Sequence, residues 1–405
     1  MPLLTTLGEI VRSTGGTIQT GPFGSQLHAS DYQLEGTPLV MPTNLRDNGI
    51  AADGIARIGD EDVKRLARHK FRPGDIVFSR RGDVGRRALV REDQRGWICG
   101  TGCLAVRFGK NLTDISPAYI AHLVGARTAQ SWLVDNAVGA TMLNLNTGIL
   151  GALPLAVPSK DEQDSVVGAL DDAHAQVDLL EATIAKKKLI RIGAMQHLLS
   201  NGHPDDGEWS LGDLATFLSG GTPRLDNAAF WAGNIPWISA LTLKELEVRD
   251  SDRRVTAAAV VAGSKMAPIG STLLLVRGSA LHSEIRASLV VGEVCFNQDV
   301  KALVPKHDVL PKFLTYSLHA NADRLLRMVT SAGNTAGVLD TKALKNMKVW
   351  VPDTPRQDEI VTILDDMSDE LHALERRLES ARAVKQGMMQ ELLTGHTRLV
   401  EGGAL

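Results

Sequence analysis

The feature that most constrains the fold is a long segment that occurs twice in the 405-residue chain. Residues Asp161–Leu199 align without gaps on Pro355–Leu393, 194 positions later, and thirteen of the 39 aligned positions are identical. This spacing is too long for a solenoid, whose units span roughly 20–50 residues. The sequence therefore predicts a duplicated module in which each copy ends in the same segment.

Both copies of this segment place apolar residues at alternating spacings of three and four. The pattern predicts an α-helix, and a narrow apolar seam sustained over about four heptads is typical of a coiled coil. Cations at Lys187, Arg191 and Lys385 interrupt the seam. Two such helices in one chain are expected to pair with each other over roughly 55–60 Å. The alternative is two unrelated surface helices, which the shared residues disfavour.

The composition excludes several classes of protein. A net charge of −3 argues against a strongly basic surface that coats nucleic acid without sequence preference. No apolar run approaches the ~18–20 residues of a membrane span, and the stretch Met1–Thr6 lacks the pattern of a secretory signal. Cys99, Cys103 and Cys295 are too few and wrongly spaced for a zinc ribbon or a disulfide framework. We expect three buried thiols and a cytoplasmic protein.

Two matching globular stretches precede the two helices. Leu7–Ile10 matches Leu211–Leu214, and the glycine pair before Thr17 is matched with the pair before Thr222, at an offset near 204. Further along, the offset falls to 194, which indicates insertions and deletions in the loops of a shared fold. The predicted segments are a first domain (1–158), a first helix (159–202), a second domain (203–352), a second helix (353–398) and a tail (399–405).

No catalytic constellation is recognisable in the sequence. The chain has no Gly-x-x-x-x-Gly-Lys-Ser/Thr loop for a nucleotide phosphate, no His-Glu-x-x-His metal motif and no Gly-x-Ser-x-Gly nucleophile elbow. The stretch Asn234–Trp237 is only superficially like the Asn-Pro-Pro-aromatic motif of amino-methyltransferases, because Ile235 replaces the first proline. We therefore expect no metal, no cofactor and no catalytic residue in this chain.

Polar residues that can bind DNA occur where apolar strands end in loops. Arginine can bind phosphate or pair with guanine, and asparagine or glutamine can pair with adenine. For any single residue the alternative is a solvated charged surface. The candidate DNA-binding residues are Thr17, Arg80, Arg81, Arg86, Arg87, Thr222, Arg277, Ser279, Asn297, Gln298 and Asn334.

With these motifs, the chain resembles the specificity (S) subunits of type I restriction–modification systems. The resemblance spans nearly the whole chain and depends on the order of its two units. The motifs that carry it are the strand-Arg-Gly turns and the segments Ser219–Pro223, Ile235–Ile238, Met195–Leu199 and Met389–Gly395.

This resemblance implies an α+β fold with a pseudo-two-fold internal repeat. Two tandem mixed α/β target-recognition domains would be separated by two long helices that pair as an antiparallel coiled coil. Each domain would read one half of a split, asymmetric site on double-stranded DNA, and the helices would set the spacing between the halves. The interruptions at Lys187, Arg191 and Lys385 are where we expect the seam to open towards partners.

The resemblance also implies partners that perform the chemistry. Two modification (methyltransferase) subunits would dock on the helices and carry S-adenosylmethionine and the catalytic residues, and restriction subunits (ATP-dependent translocase and nuclease) can join the complex. This chain would itself be non-catalytic and would not contact a membrane. The residues that represent the partner-binding helices are Leu170, Leu180, Leu198, Leu364, Leu374 and Leu392.

Three other functions remain open at this stage. A self-contained enzyme such as a fused methyltransferase needs a cofactor-binding domain of well over ~150 residues, for which no unassigned stretch is left. A scaffold could hold partners through the coiled coil without binding DNA. A specificity subunit could also serve another DNA-modification or phage-defence methyltransferase complex that has no restriction subunit.

Overall fold

A computed structural model of the chain describes residues 3–139, 142–200, 207–306, 308–332 and 336–399. The contacts between residues divide the chain into two compact units. Unit 1 consists of Met1–Leu180 and Arg377–Leu405, and unit 2 consists of Glu181–Arg376. The units differ from the predicted segments, because each contains part of both long helices.

Unit 1 begins with a strand and a short helix, continues through a mixed sheet and leads into the first long helix. Its strands are β1 (Leu3–Thr6), β2 (Thr17–Thr20), β3 (Tyr32–Gln33), β4 (Thr37–Val40), β5 (Asp47–Asn48), β6 (Arg57–Ile58), β7 (Ile76–Ser79), β8 (Arg87–Leu89), β9 (Ile98–Cys99), β10 (Cys103–Arg107) and β11 (Pro154–Val157). Its helices are α1 (Leu7–Ser13), α2 (Asp60–Arg65), α3 (Pro117–Leu123), α4 (Arg127–Asn136), α5 (Thr147–Gly151) and the start of α6 (Lys160–Ser200).

Unit 2 repeats this order and ends in the second long helix. Its strands are β12 (Glu208–Ser210), β13 (Ala215–Ser219), β14 (Ile235–Ile238), β15 (Glu247–Val248), β16 (Arg254–Val255), β17 (Thr272–Leu275), β18 (Arg277–Gly278), β19 (Ala287–Val290), β20 (Cys295–Phe296), β21 (Val300–Pro305), β22 (Thr330–Ala332), β23 (Ala336–Val338) and β24 (Lys348–Trp350). Its helices are α7 (Leu211–Leu214), α8 (Ala257–Gly263), α9 (Pro311–Ala320), α10 (Ala322–Arg327), α11 (Thr341–Asn346) and α12 (Thr354–Leu393).

The two units share one sheet topology. The main sheet has the order β2-β10-β7-β8-β5 in unit 1 and β13-β21-β17-β19-β15 in unit 2. In both sheets the edge strand, β5 or β15, runs parallel to its neighbour, whereas the other pairs are antiparallel. The predicted duplication is therefore confirmed at the level of strand order.

The central strand of each main sheet is covered on both faces. In β7, Ile76 and Phe78 pack with the apolar residues of α3, while Val77 points to a separate cluster with Phe71. Such two-sided burial explains why the sequence reads as a continuous apolar run and not as an alternating one. Cys99, Cys103 and Cys295 are free and buried, as expected.

A buried glutamine fixes the start of the first long helix. Gln163 donates through Nε2 to the carbonyl oxygens of Asp114 and Pro158, at 2.8 and 2.9 Å. Its Oε1 accepts a hydrogen bond from the amide of Ser116 at 2.8 Å. The side chain thereby ties the helix to the loop before α3.

The same arrangement recurs at the start of the second long helix. Gln357 donates to the carbonyl oxygens of Asp308 and Pro352, at 2.7 and 2.8 Å, and accepts from the amide of Leu310 at 2.9 Å. Each of these four residues lies 194 positions after its counterpart in unit 1. The repeated glutamine is thus explained by the scaffold and not by ligand binding.

The long helices pack together antiparallel, as predicted. In unit 2, Lys187 pairs with Glu370 at 2.6 Å and Arg191 donates to the Ser368 hydroxyl at 3.3 Å. Residues further along α6 therefore contact residues that come earlier in α12. The seam and the domain cores bury the leucines chosen from the sequence. Leu170, Leu180, Leu364 and Leu392 are buried, and Leu198 and Leu374 are half-buried.

Contrary to the expectation from the sequence, the seam does not open outwards at Lys385. Lys385 Nζ lies 2.8 Å from Asp47 Oδ2 and 2.9 Å from His174 Nδ1, and its side chain is only 13% exposed. The long, flexible stem lets the charge leave the apolar seam and reach a carboxylate on β5. The interruption at Lys385 therefore ties α12 to the sheet of unit 1.

The match between the two glycine pairs is also wrong. Gly15 and Gly16 precede β2, whereas Gly220 and Gly221 follow β13, which is the counterpart of β2. The residue equivalent to Gly220 is Gly21. A Cβ at Gly21 would lie 2.1 Å from the carbonyl oxygen of Gly100, which follows β9, and a Cβ at Gly220 would lie 2.2 Å from that of Phe296, which ends β20. The error arises because the offset between equivalent residues falls from 204 at Leu7 and Leu211 to 199 at Gly21 and Gly220.

Candidate nucleic-acid interface

In unit 1, three strand ends meet at one edge of the main sheet. Ser79 at the end of β7 pairs with Cys103 at the start of β10, and β2 ends beside the same part of β10. The chain leaves β7 through Arg80, whose amide donates to the carbonyl oxygen of Gly102 at 2.7 Å. We call this edge, with the loops that carry Arg80, Thr101 and Asn144, the loop end of unit 1.

Polar groups at the loop end of unit 1 lack partners among the described residues. Arg80 Nε, Thr101 Oγ1 and Asn144 Oδ1 are buried and make no hydrogen bond there. Arg81 forms a bridge with Asn144, which places the two loops side by side. An unpaired buried polar group costs about 1–3 kcal/mol, so each of these three atoms needs a bond from water or from a ligand.

The predicted arginines of unit 1 have different environments. Arg81 is exposed, and Arg86 is exposed and pairs with Asp83 at 2.8 Å. Arg87 is buried: its guanidinium lies 3.3 Å from Asp47 and donates to the carbonyl oxygen of Ala121 at 3.1 Å. Because these contacts hold β8 to β5 and α3, we do not include Arg87 in the candidate interface.

Electrostatics support this internal role of Arg87 and Asp47. Burial favours the neutral form of Asp47, but the hydrogen bond from Lys385 and the charges of Arg87 and Lys385 outweigh it, so the pKa of Asp47 lies below its ordinary value. Asp47 is therefore ionised at neutral pH and links β5 to β8 and α12. Thr17 is also remote from the loop end, since it pairs with Arg107 at the opposite end of β2.

The corresponding edge of unit 2 brings several predicted residues together. Thr222 donates its hydroxyl hydrogen to Gln298 Oε1, and both side chains lie beside the end of β13. Lys301 Nζ donates to the Ser219 hydroxyl at 2.6 Å at the same edge. Arg277, which occupies the position of Arg81 after the central strand, is exposed. We call this edge the loop end of unit 2.

The remaining predicted residues of unit 2 are less available. Ser279 is exposed next to Gly278, whose φ of 149° suits glycine. Asn297 is buried, and its Oδ1 accepts from the amide of Asp299 at 3.2 Å, so its amide group stabilises the local turn. Asn334 lies outside the described residues.

Sequence reasoning missed an aromatic group beside the loop end of unit 2. The rings of Trp231 and Trp237 meet edge to face, with centroids 5.2 Å apart. The guanidinium carbon of Arg253 lies 4.0 Å from the Trp231 ring centroid and 4.9 Å from that of Trp237. We call these three residues the tryptophan–arginine cluster. Its members lie between positions 231 and 253, and the spacing of only six residues between two of the chain's six tryptophans is the signal that could have found it.

Two concave surfaces are lined by charges of both signs, unlike the loop ends. A cavity of about 700 Å³ in unit 2 is lined by charges of both signs, among them Lys312, which binds Glu247 at 3.0 Å and Asp365 at 2.9 Å. A groove of about 440 Å³ in unit 1 contains Arg46, Arg86 and Arg87 together with Asp47 and Asp83. In the unit 1 groove Arg86 pairs with Asp83 and Arg87 pairs with Asp47, so these charges are not free for a ligand.

Over the part of the chain that the structure describes, no group of three or more His, Cys, Asp or Glu side chains could hold a metal ion. Among the same residues, none of the helices is both long and apolar enough to span a bilayer. The chemical groups gathered at the two loop ends are guanidinium, hydroxyl, amide and ammonium groups. Such groups bind phosphates and base edges, whereas no nucleophile paired with a general base lies among the loop-end residues described above.

Comparison with known proteins identifies the family. The family model for the type I restriction modification DNA specificity domain matches residues 48–187 and 206–381, within both halves of the repeat. The chain is 30% identical over 221 residues to the specificity subunit of the type I restriction enzyme EcoR124I/EcoR124II from Escherichia coli, covering 53% of this chain and 54% of that protein. It is 26% identical over 161 residues to the MjaIX specificity subunit from Methanocaldococcus jannaschii, covering 39% and 36%. The chain thus spans about half the length, or less, of these relatives.

Solved structures agree on the fold. A chain from a type I R-M system, studied for its complex assembly and conformational transition, superposes with a TM-score of 0.61 at 17% identity and covers 96% of this chain and 97% of its own. The S subunit of a type I restriction-modification system from M. genitalium gives 0.56 at 15% identity, with 96% of each chain covered. The predicted fold, two tandem α/β domains with long paired helices, is confirmed. Since the family model matches most of the chain, this protein belongs to the family of type I restriction modification DNA specificity domains.

Proposed function

We propose that this chain is the DNA-sequence-recognition (specificity) subunit of a type I restriction–modification complex. It reads a bipartite, asymmetric site on double-stranded DNA, one half with each unit. One observation carries the proposal: the family match extends over two units that share a sheet but present different polar residues at equivalent loop ends. One scaffold with two sets of loops is what two different half-sites require.

The loop ends supply both kinds of contact that DNA recognition uses. Arg81 and Arg277 are exposed at equivalent positions and can bind phosphate or the edge of guanine. Thr222 and Gln298 present a hydroxyl and an amide. Arg80 Nε, Thr101 Oγ1 and Asn144 Oδ1 can form further hydrogen bonds. Two weak half-site contacts on one chain reinforce each other, because the second contact becomes intramolecular.

The long helices are proposed to set the spacing between half-sites and to dock two modification (methyltransferase) subunits. The predicted leucines are largely occupied by the seam and cores, so a docking surface needs other residues. Leu189, Ile190 and Ile192 on α6 are exposed large apolar side chains within four residues. Clusters of exposed apolar residues mark protein contact sites more often than isolated ones do.

The catalytic chemistry is proposed to reside in partner subunits that act in the cytoplasm. The modification subunits would bind S-adenosylmethionine, and restriction subunits would supply ATP-dependent translocation and cleavage. A complex without a restriction subunit would use the same recognition chain. This chain contributes the choice of sequence, through contacts that position the partners on DNA.

Reconstitution tests the proposal. The purified chain alone should transfer no methyl group, whereas the chain together with the modification subunits of its host and S-adenosylmethionine should methylate one bipartite sequence, mapped by sequencing. Robust methyl transfer by the chain alone would contradict the proposal, and so would methylation without sequence preference.

Two arginine variants separate a DNA reader from a scaffold. Arg81→Ala and Arg277→Ala should each weaken binding to duplex DNA and reduce the salt dependence of log K by about 0.9 if the lost contact is to a phosphate. Arg356→Ala is the matched control, since Arg356 is an exposed arginine that pairs with Glu359 at the start of α12. A scaffold that does not bind DNA predicts no change for any of the three variants.

A further inference from the structure

The Arg253 side chain of unit 2 is held in place without an ion pair. Its neighbours Arg249 and Arg254 pair with Glu247 and Asp250, at 3.7 and 2.6 Å. Arg253 is exposed and forms no ion pair with any residue that the structure describes. Its guanidinium instead lies against two tryptophan rings, which offer no acceptor oxygen, so its N–H donors remain free for a ligand.

The backbone at Arg253 is also fixed. The Trp237 amide donates to the Arg253 carbonyl oxygen at 2.8 Å. The Arg253 amide donates to the Ser251 hydroxyl at 3.3 Å, and this hydroxyl donates to the Trp237 carbonyl oxygen at 2.9 Å. An arginine held at both ends loses little rotamer freedom when it binds, which favours selective pairing.

The tryptophan–arginine cluster adjoins the loop end of unit 2. Trp237 Nε1 donates to the carbonyl oxygen of Gly221 at 3.2 Å, next to Thr222. Trp231 Nε1 donates to the carbonyl oxygen of Arg224 at 3.2 Å, further along the same loop. Both rings therefore fix the loop that carries Thr222 and place the Arg253 guanidinium beside it.

Among the residues of unit 1 that the structure describes, none forms an equivalent of this cluster. The Leu39 amide donates to the Ala56 carbonyl oxygen at 2.8 Å, which reproduces the bond between Trp237 and Arg253. Leu39 and Ala56 thus occupy the positions of Trp237 and Arg253, and neither carries a charge or an aromatic ring. The contact that Arg253 can make is restricted to the half-site that unit 2 reads.

We infer that Arg253 is a specificity-determining residue of unit 2 that pairs with O6 and N7 of a guanine, and that Trp231 and Trp237 are its positioning residues. The inference rests on the proposed function. Pairing of an arginine fork with guanine discriminates against other bases by about 10- to 100-fold. The guanine should lie in one half-site only.

Selection from a pool of random DNA duplexes tests the inference. The full chain, assembled with the modification subunits of its host, is used to capture duplexes, and the bound fraction is sequenced. Wild-type protein should select a bipartite sequence with a guanine at the affected position. Arg253→Ala should reduce the preference at that one base pair by about 10- to 100-fold and leave the other half-site unchanged.

Three further variants complete the test. Arg253→Lys keeps the charge but lacks the fork, so it should relax the same position even if the alanine variant folds poorly. Trp231→Leu should relax that position less strongly, because it loosens the arginine without removing it. Arg254→Ala, the ion-paired neighbour, should leave the selected sequence unchanged.

The outcomes separate the inference from the function on which it rests. If wild-type protein selects no sequence, both the proposed function and the inference fall. If it selects a sequence and Arg253→Lys, shown by circular dichroism to be folded, keeps every base preference, only the inference is overturned. A uniform loss of affinity with an unchanged sequence would mean a phosphate contact, and would overturn the guanine assignment.

Discussion

Replacing Gln357 with alanine tests whether the repeated glutamines hold the domains to the long helices. The Gln357 side chain is fully buried and makes three hydrogen bonds with backbone groups. The substitution leaves the amide of Leu310 without an acceptor and removes a donor from the carbonyl oxygens of Asp308 and Pro352. No other side chain is bonded to these three groups in the contacts described above.

The expected loss of stability follows from these three bonds. Each buried backbone group left unpaired costs about 1–3 kcal/mol, and water entering the space left by the amide recovers part of that cost. We therefore expect Gln357→Ala to lower the free energy of unfolding of unit 2 by about 3–5 kcal/mol. Because a domain is stable by only about 5–15 kcal/mol, unit 2 should be strongly weakened or unfolded at room temperature.

Hydrogen exchange measures the effect within each unit. In Gln357→Ala, the Leu310 amide and the amides of α9 should exchange faster by a factor of about 150 to 5000, while those of unit 1 should not change. Gln163→Ala should give the mirror result in unit 1. Gln176 and Gln386 are exposed on the same two helices and provide matched controls, whose alanine variants should exchange like the wild type.

A small effect would refute this reasoning. If Gln357→Ala changed the free energy of unfolding by less than about 0.5 kcal/mol, as exposed substitutions do, the glutamine would not be a structural tie. Equal changes in both units would also contradict it, because the three bonds of Gln357 lie within unit 2.

Three further predictions concern pH, spacing and assembly. Burial and the charges of Arg68 and Arg107 lower the pKa of His69 to about 4, and NMR titration of the imidazole measures this pKa. Unit 1 should therefore lose stability as the pH falls from 6.5 towards 4. Inserting one heptad into both α6 and α12 lengthens each by about 10 Å, and methylation mapping should find a spacer longer by about three base pairs; an unchanged spacer would exclude the ruler role. Leu189→Asp should weaken binding of the modification subunits by at least about 10-fold in sedimentation assays, without affecting DNA binding by the chain alone.

The architecture was largely predictable because its signals are local or periodic. The heptad seams predicted two long helices, and the motif matches after Gly36 predicted equivalent strands, which the sheet orders confirm. Polar residues that are identical in the two copies of the repeat also have a structural role. Asp171 and Asp365 each accept a bond from a domain side chain, from His122 at 3.0 Å and from Tyr316 at 2.7 Å.

The arrangement at the loop ends was less predictable because it depends on residues distant in sequence. Arg86 and Arg87 are adjacent, yet only Arg87 is buried, since Asp47 on the neighbouring strand and the Ala121 carbonyl oxygen accept its donors. No local pattern distinguishes the two. Arg253 was not among the predicted residues because its environment is formed by Trp231 and Trp237, which precede it in unit 2.

The way the offset between the two halves changes along the chain indicates which parts of the fold must stay fixed. At the helix bases it is 194 for all four residues of the glutamine tie, whereas it is 199 for Gly21 and Gly220 and 196 for Arg81 and Arg277. Length therefore varies in the loops that lead to the candidate interface and stays constant where the domains join the helices. A loop that reads bases can gain or lose residues as long as the sheet beneath it is unchanged. A change of length at the helix base would instead break three buried hydrogen bonds, which explains why two domains with different loop ends retain the same attachment to their helices.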